Sequence, residues 1–307
     1  MKERFYEASL IKAVTITIAY LATAYVAIFG LYELMTSGVP AALAVPTGII
    51  VILLIVRQQR ALENVVHFGS HLNFSKKRGV NDLFVDSIAA WPMLSDVREY
   101  RTFHRDHHGY YGGHDDPCRL RFERIGVSDA KLSTTGRLVI ATLRWLPMYI
   151  REYYSDVGSR RRQVTIFIAW HCLATALLAM ITAPAVAISM SAIWMGVMFV
   201  LLPFVRLIAE VREHDYESGA TEFDTTYSNL GVWDHLLFHP AGDAWHILHH
   251  LYPTIPWWHQ RQAHRFLMKR DAEYRHAHRR SSILRSTLDG AAFEPKPRSR
   301  DKDAAAC

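Results

Sequence analysis

Charged residues are missing from three long stretches of the chain, 13–32, 34–56 and 163–205, and gather in the segments beside them. A transmembrane helix needs ~20 consecutive apolar residues, so the first two stretches each predict one crossing. The third, interrupted at Pro184, is long enough for two. The pattern therefore predicts four spans, at about 10–33, 40–57, 164–183 and 187–206. Ala22 and Ala24 resemble a small-residue cleavage site, but the apolar run continues past them, as that of a signal peptide does not. The first span is expected to remain uncleaved.

The connections 36–40 and 182–186 hold no Lys or Arg, whereas Lys2, Arg4, the segment 57–162 and everything after Arg206 are rich in both. The positive-inside rule places both termini and the central segment in the cytoplasm. The chain is thus expected to be a multi-pass protein of a bacterial cytoplasmic membrane. Residues 57–77 read as a helix continuing the second span, 206–214 as a protrusion of the fourth, and about 259–280 as a polar helix. The semi-apolar stretches 82–94 and 138–150 are too short to span, the latter also carrying Arg144. They fit helices lying on the membrane surface or re-entrant pieces. Residues 1–284 are expected to form a single domain and 285–307 a disordered tail.

Charge and cysteine usage change this picture little. A net charge of +6 follows from basic cytoplasmic loops facing anionic lipid, and requires no nucleic acid. Cys118, Cys172 and Cys307 have no metal-type spacing and imply no disulfide framework.

The polar segments carry the chemistry. Three histidine clusters flank the spans: His67 and His71 as HxxxH, His104, His107 and His108 as HxxHH, and His246, His249 and His250 again as HxxHH. Residues three and four apart share a helix face, so each cluster is expected to aim its imidazoles at one point. Neutral imidazole suits iron, copper, nickel or zinc. Eight such ligands exceed the four of a tetrahedral zinc and suit two metals, each with an open position. Soluble di-iron bundles use glutamates for charge compensation, so an all-histidine pair should depend more on neighbouring carboxylates.

The three clusters, with His246 to Pro256 reading HILHHLYPTIP and the second box HRDHH, resemble the membrane fatty acid desaturase family. The resemblance covers roughly residues 63–258. It implies an all-α integral membrane protein, with four transmembrane helices and a cytoplasmic helical domain holding a histidine-rich di-metal site. It further implies two iron ions that activate dioxygen to attack an unactivated C–H bond of a lipid or acyl substrate. The family's additional ligand, just after the fourth span, maps to His214. The implied ligand set is therefore His67, His71, His104, His107, His108, His214, His246, His249 and His250. Glu210, four residues before His214, would share its helical face and act directly or through water. No cytochrome-like domain is fused, so electrons are expected from a separate ferredoxin- or cytochrome-type protein. Leu248 is apolar where many fatty acid desaturases are polar, and the fold also hosts hydroxylases and tailoring oxygenases. The same ligands serve desaturation and hydroxylation, depending on how the second C–H bond is placed.

Two other classes remain open on the residues alone. A membrane zinc hydrolase would use three or four of these histidines, and a metal or haem carrier would consume no oxygen. Among other histidines, His114 is expected near the ligands, with Asp115 or Asp116 orienting an imidazole. His171, inside the third span, suits a neutral ring bonded to a backbone carbonyl. His235 and His239 fit turn or surface roles, and His259, His264, His276 and His278 look solvated. Trp91, Tyr110, Tyr111, Trp145 and Trp257 are expected to pack or anchor at the interface rather than line a channel.

Overall fold

In the computed structural model, which describes residues 1–127, 135–155, 160–214, 216, 222–277 and 280–281, the chain is helical nearly throughout. Among the described residues, four helices are long and apolar enough to cross a membrane: α1 (Leu10–Thr36), α2 (Ala41–Ser70), a third at Arg161–Ile181 and a fourth at Pro184–Val211. Ser9 caps α1 by accepting the Lys12 amide, and Pro184 opens the fourth helix at a position where its missing N–H costs nothing. Between these pairs lie α3 (Arg78–Val85), α4 (Val97–Gly109), α5 (Pro117–Ile125) and α6 (Thr135–Tyr154). The two spanning helices that follow are α7 (Arg161–Ile181) and α8 (Pro184–Val211), and the chain continues to α9 (His246–Leu251), α10 (Trp257–Arg270) and α11 (Ala272–Ala277). α1 packs along α2, α7 along α8, and α8 against α1.

Burial along α2 runs opposite to that of a soluble helix. Its first half exposes Leu43, Val45, Ile49 and Ile50, while nearly every residue from Gln58 to Ser70 is buried, polar ones included. α7 likewise leaves Met180 and Ile181 about 80 % exposed. Such an apolar belt needs lipid to cover it. Several side chains in the buried polar half of α2 bond across the fold. Gln59 donates to the Trp194 carbonyl (3.0 Å), Arg60 to that of Phe238 (3.2 Å) and Asn64 to that of Pro240 (2.7 Å).

Several elements differ from the sequence expectation. The helix expected over 57–77 ends at Ser70; His71 is its C-cap and Leu72 turns left-handed at φ 58°. The stretch 82–94 is not a single surface helix. α3 gives way to a π-turn at Asp86–Ala90 and a short 3-10 turn at Trp91–Met93, whose Val85, Ala89, Ala90 and Met93 are buried in the main core. The helix carrying Arg206 ends at Val211, and the polar helix over 259–280 is two, α10 and α11. Residues 285–307, Cys307 and His278 lie outside the described residues.

One glycine fixes how closely α3 meets α2. A Cβ at Gly69 would stand 2.5 Å from Val85 Cγ2 and 3.2 Å from the Phe74 ring. Gly69 lies between His67 and His71, so this contact sets the height of the first histidine pair. Gly69→Ala should therefore force the helices apart at a cost of about 1–3 kcal/mol. Thermal unfolding in detergent is the measurement, and an unchanged midpoint would contradict the tight contact.

Candidate metal centre

α4 starts at Asp96, whose carboxylate accepts the Arg98 and Glu99 amides (2.9 and 3.3 Å). It carries His104, His107 and His108 toward the buried end of α2. The short α9 presents His246, His249 and His250 to the same region, and all three are buried. His214 lies beyond the end of α8, where its backbone forms an antiparallel bridge with Thr226.

The structure brings all nine histidines together, in two groups. His67 Nε2 lies 2.9 Å from His104 Nε2 and 2.8 Å from His249 Nε2, and the latter two are 3.2 Å apart. His71 joins these three, with donor atoms within 4.8 Å of one another. His108 Nε2 completes the group at 3.0 Å from His104 and 3.2 Å from His249. The second group holds His107, His214 and His250 within 4.8 Å, with His246 Nε2 3.0 Å from His214 Nε2.

Each HxxHH box is therefore divided, rather than aimed at one point. On a helix turning ~100° per residue, positions i and i+4 lie ~40° apart while i+3 falls ~60° to the other side. His104 and His108 face the first group and His107 the second; His246 and His250 face the second and His249 the first.

These nitrogens fit a metal better than they fit protons. No distribution of protons lets three mutually adjacent Nε2 atoms all be satisfied by one another, whereas one cation at their focus serves every lone pair. Spacings of 2.8–3.2 Å match neighbouring ligands of one ion with bonds of ~2.1 Å. His71 Nε2 and His250 Nε2 are buried with no hydrogen-bond partner, an expensive state unless a cation takes them up. Burial, reinforced by the other imidazoles, holds His104, His108, His214, His249 and His250 well below the usual histidine range. Burial likewise takes His71 down to about 3 and, against the pull of Glu213, His246 to about 4. Neutral rings are the ligand form.

Carboxylates and a tyrosine hold the outer ring nitrogens. Asp243 Oδ1 accepts from His67 Nδ1 at 3.0 Å and Asp116 Oδ1 from His107 Nδ1 at 2.9 Å. Asp116 is fully buried, caps α5 through the Cys118 and Arg119 amides, and takes the Gly112 amide on its other oxygen. Burial alone would lower the His107 pKa, but Cys118 and Asp116 outweigh it and lift it to about 10. The Tyr111 hydroxyl is 2.9 Å from His214 Nδ1 and 2.8 Å from Thr225 Oγ1, which donates to it.

Several residues stand elsewhere than their sequence context suggested. Because α8 ends at Val211, Glu210 does not share a helical face with His214. Among the described residues it is Glu213 that groups with His214 and His246, its Oε2 3.8 Å from His246 Nε2. Asp116, not the exposed Asp115 or His114, reaches an imidazole. Cys118 lies within 4.8 Å of His107 and Asp116 although its spacing gave no such sign. His264 is not solvated: it is buried against Trp245 and bonded to the Tyr274 hydroxyl at 2.9 Å. His171 bonds the Pro92 carbonyl (3.2 Å), and Trp257 packs on Phe68 and Phe74. Asp243 carries no helical spacing signal because it follows a left-handed turn at Ala241 and Gly242, although it lies three residues before the third box.

His239 is fully buried, its Nδ1 3.1 Å from Glu213 and 3.6 Å from Asp243. Burial opposes its charge, but Asp243 and Glu213 raise its pKa to about 9. A folded value above the free value of ~6.5 means that the proton stabilises the fold. That contribution is complete below about pH 6.5 and disappears as pH rises through about 9, at most about 3 kcal/mol. The thermal midpoint should fall across this window in the wild type and lose that component in His239→Gln.

The chain matches the family model of the fatty acid desaturases over residues 40–282, well over half its length. No curated protein matches it significantly. With four membrane-length helices and clustered imidazoles, the sequence match is decisive: this membrane protein belongs to the fatty acid desaturase family.

Proposed function

We propose that the chain is a dioxygen-dependent di-iron oxidoreductase that desaturates a lipid or acyl substrate, with hydroxylation the alternative outcome at the same centre. The observation that carries this reading is the gathering of nine imidazoles into two adjoining groups. His67, His71, His104, His108 and His249 would hold one iron, and His107, His214, His246 and His250 the other. Bound there, the iron pair supplies the activation of dioxygen and the oxidation of an unactivated C–H bond, with electrons from a separate ferredoxin- or cytochrome-type protein.

The protein's part is positioning and charge. Asp243, Asp116 and the Tyr111 hydroxyl fix the ring orientations of His67, His107 and His214. Asp116, Asp243 and Glu213 supply the negative charge that an all-histidine ligand set lacks. Arg60 ties Asp243 (3.1 Å) and Glu213 (3.7 Å) together from α2. The basic segments beside the spans favour both termini and this centre on the cytoplasmic side.

Expression with a reducing partner, followed by metal analysis and untargeted mass spectrometry, tests the reading. About two irons per chain and a product lighter by two hydrogens support desaturation. A product heavier by one oxygen supports hydroxylation, and a single zinc with no oxygen consumption overturns both.

A further inference from the structure

A cavity of about 460 Å³ opens against both imidazole groups, touching His67, His104, His107, His214 and His246. Beside apolar residues such as Met93, Leu94 and Phe122, its wall carries charges that a hydrocarbon channel does not need. Arg206 and Glu63 form an ion pair on one side, and two Arg206 nitrogens, Nε and Nη1, are buried without a hydrogen-bond partner. Arg121 lies over the Phe103 and Tyr153 rings at 4.7 and 5.9 Å. Arg121 and Glu210, which line the same space, attract each other, but among the described residues neither side chain makes a close ion pair or hydrogen bond. The rim is charged too, with the pairs Arg124–Glu152 (2.6 Å) and Arg160–Glu99 (3.8 Å).

We infer that the substrate carries an anionic group, within a few bonds of the carbon oxidised, that pairs with Arg121, and a hydrogen-bond donor that faces Glu210. This rests on the oxidative reading above and narrows its substrate class to a polar acid or acyl compound oxidised near its charged end. A bare alkyl chain in this cavity would strip water from Arg121 and Glu210 and return nothing. A bidentate acid on the Arg121 fork returns those hydrogen bonds, with the ring faces of Phe103 and Tyr153 fixing the plane of the guanidinium. Arg206 and Glu63 are already matched to each other, so they shape the wall. Arg121 and Glu210 attract each other without touching, so a ligand seated between them can pair with both.

Cells expressing the wild-type chain with a reducing partner, and reference cells expressing His249→Ala, are extracted into water-soluble and lipid fractions. Both fractions are then compared by mass spectrometry. A wild-type-only product in the water-soluble fraction, bearing an ionisable acid near the new double bond or hydroxyl, is the expected result. A product confined to mid-chain positions of apolar acyl lipids overturns the inference but leaves the oxidative reading intact. No new product in either fraction, from protein carrying its iron, overturns both. With the compound in hand, Arg121→Gln should raise KM about tenfold or more, with kcat and iron content close to wild type. Direct binding of the compound, followed by thermal shift under anaerobic conditions, should weaken in parallel. Unchanged KM and unchanged binding in both Arg121→Gln and Glu210→Gln would overturn the pairing.

Discussion

His249→Ala and His107→Ala should each lower turnover by more than about 100-fold, beyond the effect expected of an outer-sphere change, and each should do so by stripping a different ion. His249 Nε2 stands within 3.2 Å of the Nε2 atoms of His67, His104 and His108, so its loss opens the five-histidine group near its middle. His107 belongs to the other group, with His214 and His250. Iron content should fall from about two per chain to about one or fewer in either variant. Both side chains sit at the polar end of the fold, away from the lipid-facing belt, so membrane insertion should be retained. Wild-type turnover in either variant, or full iron content in both, would contradict the proposed ligand set.

Asp116→Asn should weaken iron binding about 10- to 100-fold, with the loss falling on the group that holds His107. The substitution is informative because Asn keeps the oxygen that caps α5 through Cys118 and Arg119. What changes is the charge beside His107 Nδ1, from which the oxygen accepts at 2.9 Å, and the bond from the Gly112 amide, which an Asn NH2 cannot accept. Asp243→Asn is the counterpart for His67. It should also weaken the fold, since it removes a partner of Arg60 and His239. Metal titration of both variants, alongside thermal unfolding, separates the two effects. Equal loss from both ions in Asp116→Asn, or none, would count against the assignment.

The helical architecture with its four membrane-length helices and the gathering of the eight box histidines were legible because they depend on local pattern, whereas His214 was reached only through the family resemblance. Uncharged runs set the spans, and HxxxH and HxxHH spacings stand out in any helix. Of the surrounding carboxylates, Asp116 was legible as one of two candidates just after the second box, but the more distant partners were not, for the opposite reason. Asp243 meets His67 across 176 residues and Tyr111 meets His214 across 103, and no periodicity links positions that far apart. Helical spacing also misled. It placed Glu210 beside His214 because the helix was read as running on through 214, whereas α8 stops at Val211 and hands the outer position to Glu213. A single bearing for each HxxHH also fails, because the middle histidine of the box faces away from the outer two. His239 and His264 were read from a polar neighbourhood as exposed or ambiguous, and burial by distant segments made them structural.

The division of both HxxHH boxes carries a consequence for assembly. α4 and α9 each carry imidazoles of both groups, so, with an ion in each group as proposed, a rotation or slide that seats one has already set the azimuth of the rings awaiting the other. Occupancy of the two positions should therefore be thermodynamically linked, with the singly loaded form scarce during ferrous titration and the second ion arriving at a lower free-iron concentration than independent sites would require.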